Sequence, residues 1–460
     1  MPFFCRRLSP RVAIALAVLA MNSAVASAET VDDAMKWALR SSFSVQADNE
    51  RQAAAEARLR GSVEAFLPTV SYVQERILTS KISYTPDYTV QDTGGLDTIS
   101  RREPNARGFQ ASLPLFDGFR RYNNFQSARL GVQAGKYLQL DTQQQTYLDA
   151  ANGYLAILRD RRIIALRKRQ VADISKILER TKVRFSMQDA TQTDVDISQS
   201  RLLQAEADVE QASADLRASE IEYTRVTGNR PGGMSPPRVP FDAVPSSVEE
   251  LEQAVIAHNP RLMASRLGVV AASHDARSKV ADVLPQVNLS MSSIEQTNIS
   301  AALTKARDDT VKIQMRVPIY EPGALSNISE AAAIARQKSW ESADSQRRGV
   351  ADVTGLQIKY QSIRGLIKRA DARVKAMQAA VYGVGIERTA GFRTVIDTLN
   401  AQNELTEAEM IRVNLEYTRD SLVFTIAASL ARLAPESPYA TPALVSLGRS
   451  GLAPRAPGRS

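Results

Sequence analysis

The feature that most constrains this chain is that it repeats itself. At an offset of 217, Val31 to Val70 aligns with Val248 to Val287 without a gap, matching Ala47 with Ala264, Arg60 with Arg277, Leu67 with Leu284 and Pro68 with Pro285. Further along the offset falls to about 204: LPLF at Leu113 is echoed by VPIY at Val317, and Asp194 by Asp397 at 203. The shortening falls where a loop of variable length fits. Internal periodicity of this kind predicts two copies of one structural unit. The repeats are read as 29–230 and 247–434, joined by a Pro/Gly linker (231–246) and followed by a basic Pro/Gly tail (435–460) expected to be disordered.

Within each repeat the hydrophobic period changes. The stretches Asp48–Phe66 and Arg261–Leu284 are rich in Ala and Arg without internal proline and read as helix. After each proline the chain alternates. VKIQMRVPIY sets Val311, Ile313, Met315, Val317 and Ile319 on one face and Lys312, Gln314 and Arg316 on the other, the period of a strand. FQASLPL and QVNLSM repeat that pattern and TVSYVQERI does so weakly. Each repeat therefore offers one hairpin, about 68–116 and 285–320, with polar loops at Thr79–Arg107 and Gln296–Asp309. Proline-free runs follow, Phe119–Phe185 and Gly323–Arg388, each ~100 Å of helix at 1.5 Å per residue. Short polar turns, about 186–192 and 388–394, lead into return helices Thr193–Arg225 and Val395–Leu433. On the first of these, Val195, Leu202, Val209, Leu216 and Tyr223 recur every seven residues beside Ser198, Ala205, Ala212 and Ser219. That seam predicts coiled-coil packing against Tyr147, Ala151, Tyr154 and Leu158 of the preceding helix.

The fold class is thus mostly α with a small β portion of four strands, which cannot close on themselves. Either the sheet lies against protein in a water-soluble molecule, or several chains pool strands in a bilayer, where open edges are not tolerated. Three chains would give twelve strands and a barrel roughly 24 Å across, wide enough for water.

The ends of the chain bear on where it works. Arg6, Arg7 and Arg11 precede the apolar run VAIALAVLAM, and AVASAET supplies small residues at Ala26 and Ala28, so residues 1–28 read as a secretory signal peptide cleaved before Glu29. The run is too short to span a bilayer as a helix. The only cysteine, Cys5, leaves with that leader, and so do three of the positive charges behind the formal +8. The remaining basic charge is spread out, which argues against a nucleic-acid partner.

These residues resemble a known family, the TolC family of outer-membrane efflux and secretion channels. The resemblance is carried by AFLPTVSY and DVLPQVNL, by LPLFDG and VPIYEPG, by RVTG before the linker, by HNP opening the second repeat, and by GFRTVIDTLNAQNEL. It implies a homotrimer with one twelve-stranded barrel among outer-membrane lipid and a helical tunnel through the periplasm. It further implies docking to a periplasmic adaptor and, through it, to an inner-membrane transporter of ABC or RND type. No cofactor is implied. In the family the interhelical turns form a gate. Carried over by motif, its members here are Thr193 and Asp194 in TQTDV and Gly391, Arg393 and Asp397 in GFRTVID, with Asp397 a pore-facing ring and Arg393 reaching a neighbouring turn. The sequence departs from the family pattern at Asn400, where a second aspartate occurs, at Arg388, where some members have tyrosine, and at Gln188, which replaces a common glycine. Lys312, Gln314 and Arg316 would face the barrel lumen.

The same turn residues have a simpler reading. Thr191-x-x-Asp194 and Thr394-x-x-Asp397 are capping-box patterns, in which threonine and acid satisfy free backbone donors at a helix start. Enzyme readings find no support in motifs: G-x-S-x-G, a phosphate-binding loop and H-E-x-x-H are missing from the sequence, and its two histidines, His258 and His274, read as surface residues. Three functions stay open at this point: an exit duct for type I protein secretion, the outer-membrane part of a drug efflux pump, and a pore-free periplasmic coiled-coil scaffold.

Overall fold

A computed structural model describes residues 28–76, 78, 105–297 and 305–435. The described chain forms two compact units, each drawing on both repeats.

One unit comprises Ala47–Gln139 and Pro260–Gly349 and contains the sheet. Strands β1 (Thr69–Arg76), β2 (Asn105–Phe116), β3 (Gln286–Thr297) and β4 (Lys305–Arg316) pair antiparallel in that order. The register sorts the side chains by face, because successive residues of a strand point to opposite sides. The rungs Val70–Ala111–Met291–Val311 and Leu113–Leu289–Ile313 are apolar; the rungs that alternate with them, Ser71–Gln110–Ser292–Thr310 and Thr69–Ser112–Ser290–Lys312, are polar. Tyr72 and Phe109 face each other across β1 and β2, ring centroids 5.4 Å apart. Pro114, which has no N–H for the ladder, stands at a register shift between Pro114 and Phe116, where a bulge tolerates it.

The loops are shorter than expected. Residues 105–107, 296–297 and 305–309, polar loop by composition, lie in strands. The reason is pairing of charge: across the ladder Glu295 accepts from Arg107 and Lys305, each at 2.8 Å, and within β4 Arg307 meets Asp309 at 3.0 Å. The rest of those loops, like residues 1–27 of the expected leader and the tail beyond 435, lies outside the described residues. His274 also departs from its surface reading: it is half-buried, with Nδ1 3.0 Å from Asn123 Oδ1, whereas His258 is exposed.

The other unit comprises the described parts of Met1–Gln46, Leu140–Asn259 and Val350–Ser460. The elements of the chain are α1 (Val31–Ser41), α2 (Phe43–Glu64), α3 (Arg120–Ser186), α4 (Gln192–Thr227), α5 (Val248–His258), α6 (Pro260–Val280), α7 (Ala324–Thr389) and α8 (Val395–Ser429). The 67-residue α3 and 66-residue α7 contribute to both units. Among the described residues no helix is long and apolar enough to cross a membrane.

The core of this unit gathers Val31, Met35 and Ala38 of α1, Tyr147, Ala151 and Tyr154 of α3, Tyr223 of α4, and Phe424 and Ala427 of α8. Its polar centre is Glu29, 7% exposed. The Tyr223 hydroxyl donates to its Oε1, the Gly232 N–H to its Oε2 at 3.0 Å, and the Tyr154 hydroxyl to its carbonyl at 2.7 Å. Glu29 N–H donates in turn to the Gly233 carbonyl at 2.7 Å, tying the chain before α1 to the inter-repeat linker. Burial pushes the Glu29 carboxyl above its ordinary pKa.

The predicted heptad is present, and burial along it is uneven. On α4 the buried positions are Ser198, Ala205, Ala212 and Tyr223, while Val195, Leu202, Val209 and Leu216 are half-buried flanks. Small side chains let two helix backbones approach, so the seam centres on the small rung and the larger residues close over its edges. Ser219, on the same rung, donates to Asp160 of α3 at 2.6 Å.

Candidate functional site

The two turns joining α3 to α4 and α7 to α8 are built alike. At the end of α3, Gln188 N–H donates to the Phe185 carbonyl at 2.9 Å and Asp189 N–H to the Arg184 carbonyl at 2.8 Å, with Gln188 at φ +58°. At the end of α7, Gly391 N–H donates to Arg388 at 3.1 Å and Phe392 N–H to Glu387 at 2.9 Å, with Gly391 at φ +83°. This is the Schellman closure, in which a left-handed residue lets two amides satisfy helix-end carbonyls. Gln188 therefore holds the geometry that glycine adopts freely, at a steric cost of about 1–2 kcal/mol.

Three residues after each left-handed position the next helix is capped by a threonine. Asp194 N–H donates to Thr191 Oγ1 at 3.2 Å and Thr191 N–H returns to Asp194 Oδ2 at 3.0 Å; the matching distances at Asp397 and Thr394 are 3.2 and 2.9 Å. Both acids are thus capping-box residues. The Thr394 backbone and hydroxyl, with Arg393 nearby, hold the Asp397 carboxyl below the usual aspartate range. Neither acid is spent on burial, since both are only half-covered; Thr193, Gly391, Arg393 and Asn400 are exposed.

Each turn also carries an ion pair. Arg184 Nε meets Asp189 Oδ2 at 2.8 Å, and Arg393 Nε meets Glu387 Oε2 at 2.9 Å. Within the chain, Arg393 is therefore engaged by its own turn, and Glu387 raises its pKa. Arg388 differs from all of these: it is 8% exposed, Nε and Nη1 lack hydrogen-bond partners among the described residues, and burial together with Arg184 and Arg180 lowers its pKa. In the sequence Arg388 stands out only as a departure from tyrosine; its burial is a matter of tertiary contacts.

The turns are supported by a small core in which Val395 and Leu399 of α8 pack with Ile174 and Ile177 of α3 and Ala205 of α4. Around it, Gln402 donates to Asp173 at 3.2 Å, Gln170 to Asn403 at 3.0 Å, and Arg167 pairs with Asp208 at 3.1 Å and Glu407 at 3.3 Å. The second repeat's return helix is thereby fastened to the first repeat's helices.

Lys312, Gln314 and Arg316 share one face of β4 and are exposed, and so are Val311, Ile313 and Met315 on the other, at 67, 68 and 67%. The sequence-predicted residues thus form two groups, one at the turns and one on the sheet. Among the described residues no cluster of His, Cys, Asp and Glu could hold a metal ion.

Residues 251–432 match the family model described as Outer membrane efflux protein. The chain is 25% identical over 351 residues to the outer membrane efflux protein BepC of Brucella suis, covering 75% of this chain and 76% of that one. The outer membrane protein TolC of Salmonella enteritidis is also 25% identical, over 73% of this chain and 70% of TolC. The proteases secretion protein PrtF of Dickeya chrysanthemi is 24% identical over 88% of this chain and 91% of its own. Among solved structures, the CmeC outer membrane channel of Campylobacter jejuni superposes with a TM-score of 0.76 at 13% identity, over 89% of this chain and 87% of that chain. The shared fold is that of TolC-like channels.

Proposed function

We infer that this chain, whose residues 251–432 match the outer membrane efflux protein model, belongs to that family and works at the outer membrane, and that three copies assemble into an exit duct passing cargo from the periplasmic side to the exterior. The observation that carries this is the sheet. It has two free edges, β1 and β4, an apolar face and a polar face, and 67% exposure of Val311 and Met315 at one edge. In a bilayer such edges must pair, because each unpaired backbone group costs several kcal/mol. Pairing β4 of one copy with β1 of the next closes a twelve-stranded barrel, its apolar face to lipid and Lys312, Gln314 and Arg316 to water, the alternation that transmembrane barrels require.

The turns would then come together in threes. A ring of Asp397 carboxylates, held ionised by their caps, concentrates negative potential at a constriction and favours cations. Arg393, bonded to Glu387 in the isolated chain, exchanges that exposed and individually weak pair for one on a neighbouring turn when the tip closes. Asp397→Ala should weaken cation selectivity and Arg393→Ser should raise the open fraction; unchanged reversal potential and open probability would leave the capping role alone.

Transport needs partners: a periplasmic adaptor at the tip and an inner-membrane transporter of ABC or RND type that supplies energy. For cargo we favour type I protein secretion, since the relative named for protease secretion, PrtF, matches over most of both chains. Drug efflux is the competing reading. Deleting the gene separates them: loss of a secreted protein with unchanged drug sensitivity supports secretion, and the reverse supports efflux.

A further inference from the structure

Arg388 stands in the last turn of α7 with two of its guanidinium nitrogens, Nε and Nη1, buried and unused. It is 8% exposed, and Nε and Nη1 are closed to solvent without an acceptor among the described residues. The charges that act on it are Arg184 and Arg180, one helical turn apart near the end of α3, and both disfavour its positive charge. The nearby acids are committed: Asp189 to Arg184 at 2.8 Å, and Glu387 to Arg393 at 2.9 Å. The carbonyls at the end of α7 favour a cation there, but that field fades within a turn and supplies no acceptor to Nε or Nη1. An arginine side chain does not escape by losing its proton. Buried charges are otherwise paired and hydrogen-bonded, because an uncompensated one is among the costliest features a protein can carry.

We propose that Arg388, flanked by Arg180 and Arg184, is an oxyanion-binding site at the tip, taking a carboxylate or phosphate-class group from outside the chain. A planar guanidinium with two unused donors suits a group with several acceptor oxygens, and the two flanking cations add attraction rather than competition. The site joins the two turns, since Arg180 and Arg184 belong to the first repeat and Arg388 to the second. It exists once per chain: the position equivalent to Arg388 in the first turn is Phe185, 42% exposed. The oxyanion has two possible sources, a free anion or a carboxylate of a second copy of this chain.

The test uses full-length protein purified in detergent, with Arg388→Met and Arg388→Lys beside the wild type. Melting is followed while phosphate replaces chloride at constant ionic strength, and oligomer dissociation is followed against NaCl. A free oxyanion predicts a saturable rise of the wild-type midpoint with phosphate and at least tenfold weaker phosphate affinity in Arg388→Met. A second copy's carboxylate predicts no phosphate response, at least tenfold easier dissociation of Arg388→Met with a shallower NaCl dependence, and Arg388→Lys in between. The proposal is overturned if Arg388→Met is as stable as the wild type in both anions with unchanged dissociation. Should Arg388→Met not fold, a wild type indifferent to phosphate and an Arg388→Lys variant with wild-type dissociation and NaCl dependence overturn it equally. The phosphate arm does not depend on whether the protein conducts, so its failure and that of the duct reading are distinct.

Discussion

In the first turn the cation precedes the bend and the acid follows it, Arg184 to Asp189; in the second the acid precedes and the cation follows, Glu387 to Arg393. The backbone closures and capping boxes are otherwise the same, residue for residue at an offset of 203. Duplication kept the parts that terminate and start helices, since any break between two long helices needs them, and let the side chains on that frame diverge. The divergence extends into the return helices. Val395 and Leu399 of α8 are buried, while their equivalents on α4, Gln192 and Asp196, are exposed and bonded to each other at 2.8 Å. The second turn is thus the one sewn to its neighbours, and the first presents a polar face.

The largest expected difference is in that small core. Leu399→Ala should cost about 3 kcal/mol, seen as faster amide exchange over residues 395–402, whereas Asp196→Ala should stay within about 0.5 kcal/mol. Equal effects would remove the asymmetry. The left-handed residues come next. Gln188→Gly should stabilise the first turn by about 1 kcal/mol, and Gly391→Gln should destabilise the second by a similar amount; a Gly391→Gln variant with unchanged exchange would show that its φ is not fixed. Removing the caps sharpens the comparison differently, because here the turns should agree. Thr191→Ala and Thr394→Ala should each cost about 1 kcal/mol, and a disparity of more than about twofold would mean that one threonine has a further role.

The smallest effect lies away from the turns, at Glu29. Its carboxyl pKa is raised in the folded chain, so the protonated form is favoured there, and the stability it contributes is full below the ordinary glutamate value of 4.5 and lost as pH rises through the folded value. Glu29→Gln should therefore gain on the wild type at neutral pH, and the gap should close below about pH 4.5. A gap independent of pH would locate the effect in hydrogen bonding rather than ionisation.

Much of the fold was readable because periodicity is local. A strand that alternates as Val311 to Met315 does, and a helix free of proline over some sixty residues, announce themselves in the order of residues, although Val317 and Ile319, expected on the same face, lie beyond β4, which ends at Arg316 ahead of Pro318. The capping boxes were readable for the same reason, three residues apart. What could not be read depends on distant partners. Lys305 to Asp309 looked like loop because their charges are matched by Glu295 and within the strand itself. Which rung of the α4 seam is the more buried, Ser198, Ala205 and Ala212 rather than Val195, Leu202 and Val209, depends on how closely neighbouring helices approach and is a tertiary fact. Arg388 looked like a substitution in a motif, and its burial beside Arg184, two hundred residues away in sequence, gives no local signal.

The account rests on the open-edged sheet becoming part of a pore, and single-channel recording of the purified protein in a planar bilayer tests this most directly. It predicts discrete conductance steps from an assembly of three chains, with cation selectivity that weakens in Asp397→Ala. A correctly folded trimer that inserts and passes no current would contradict it.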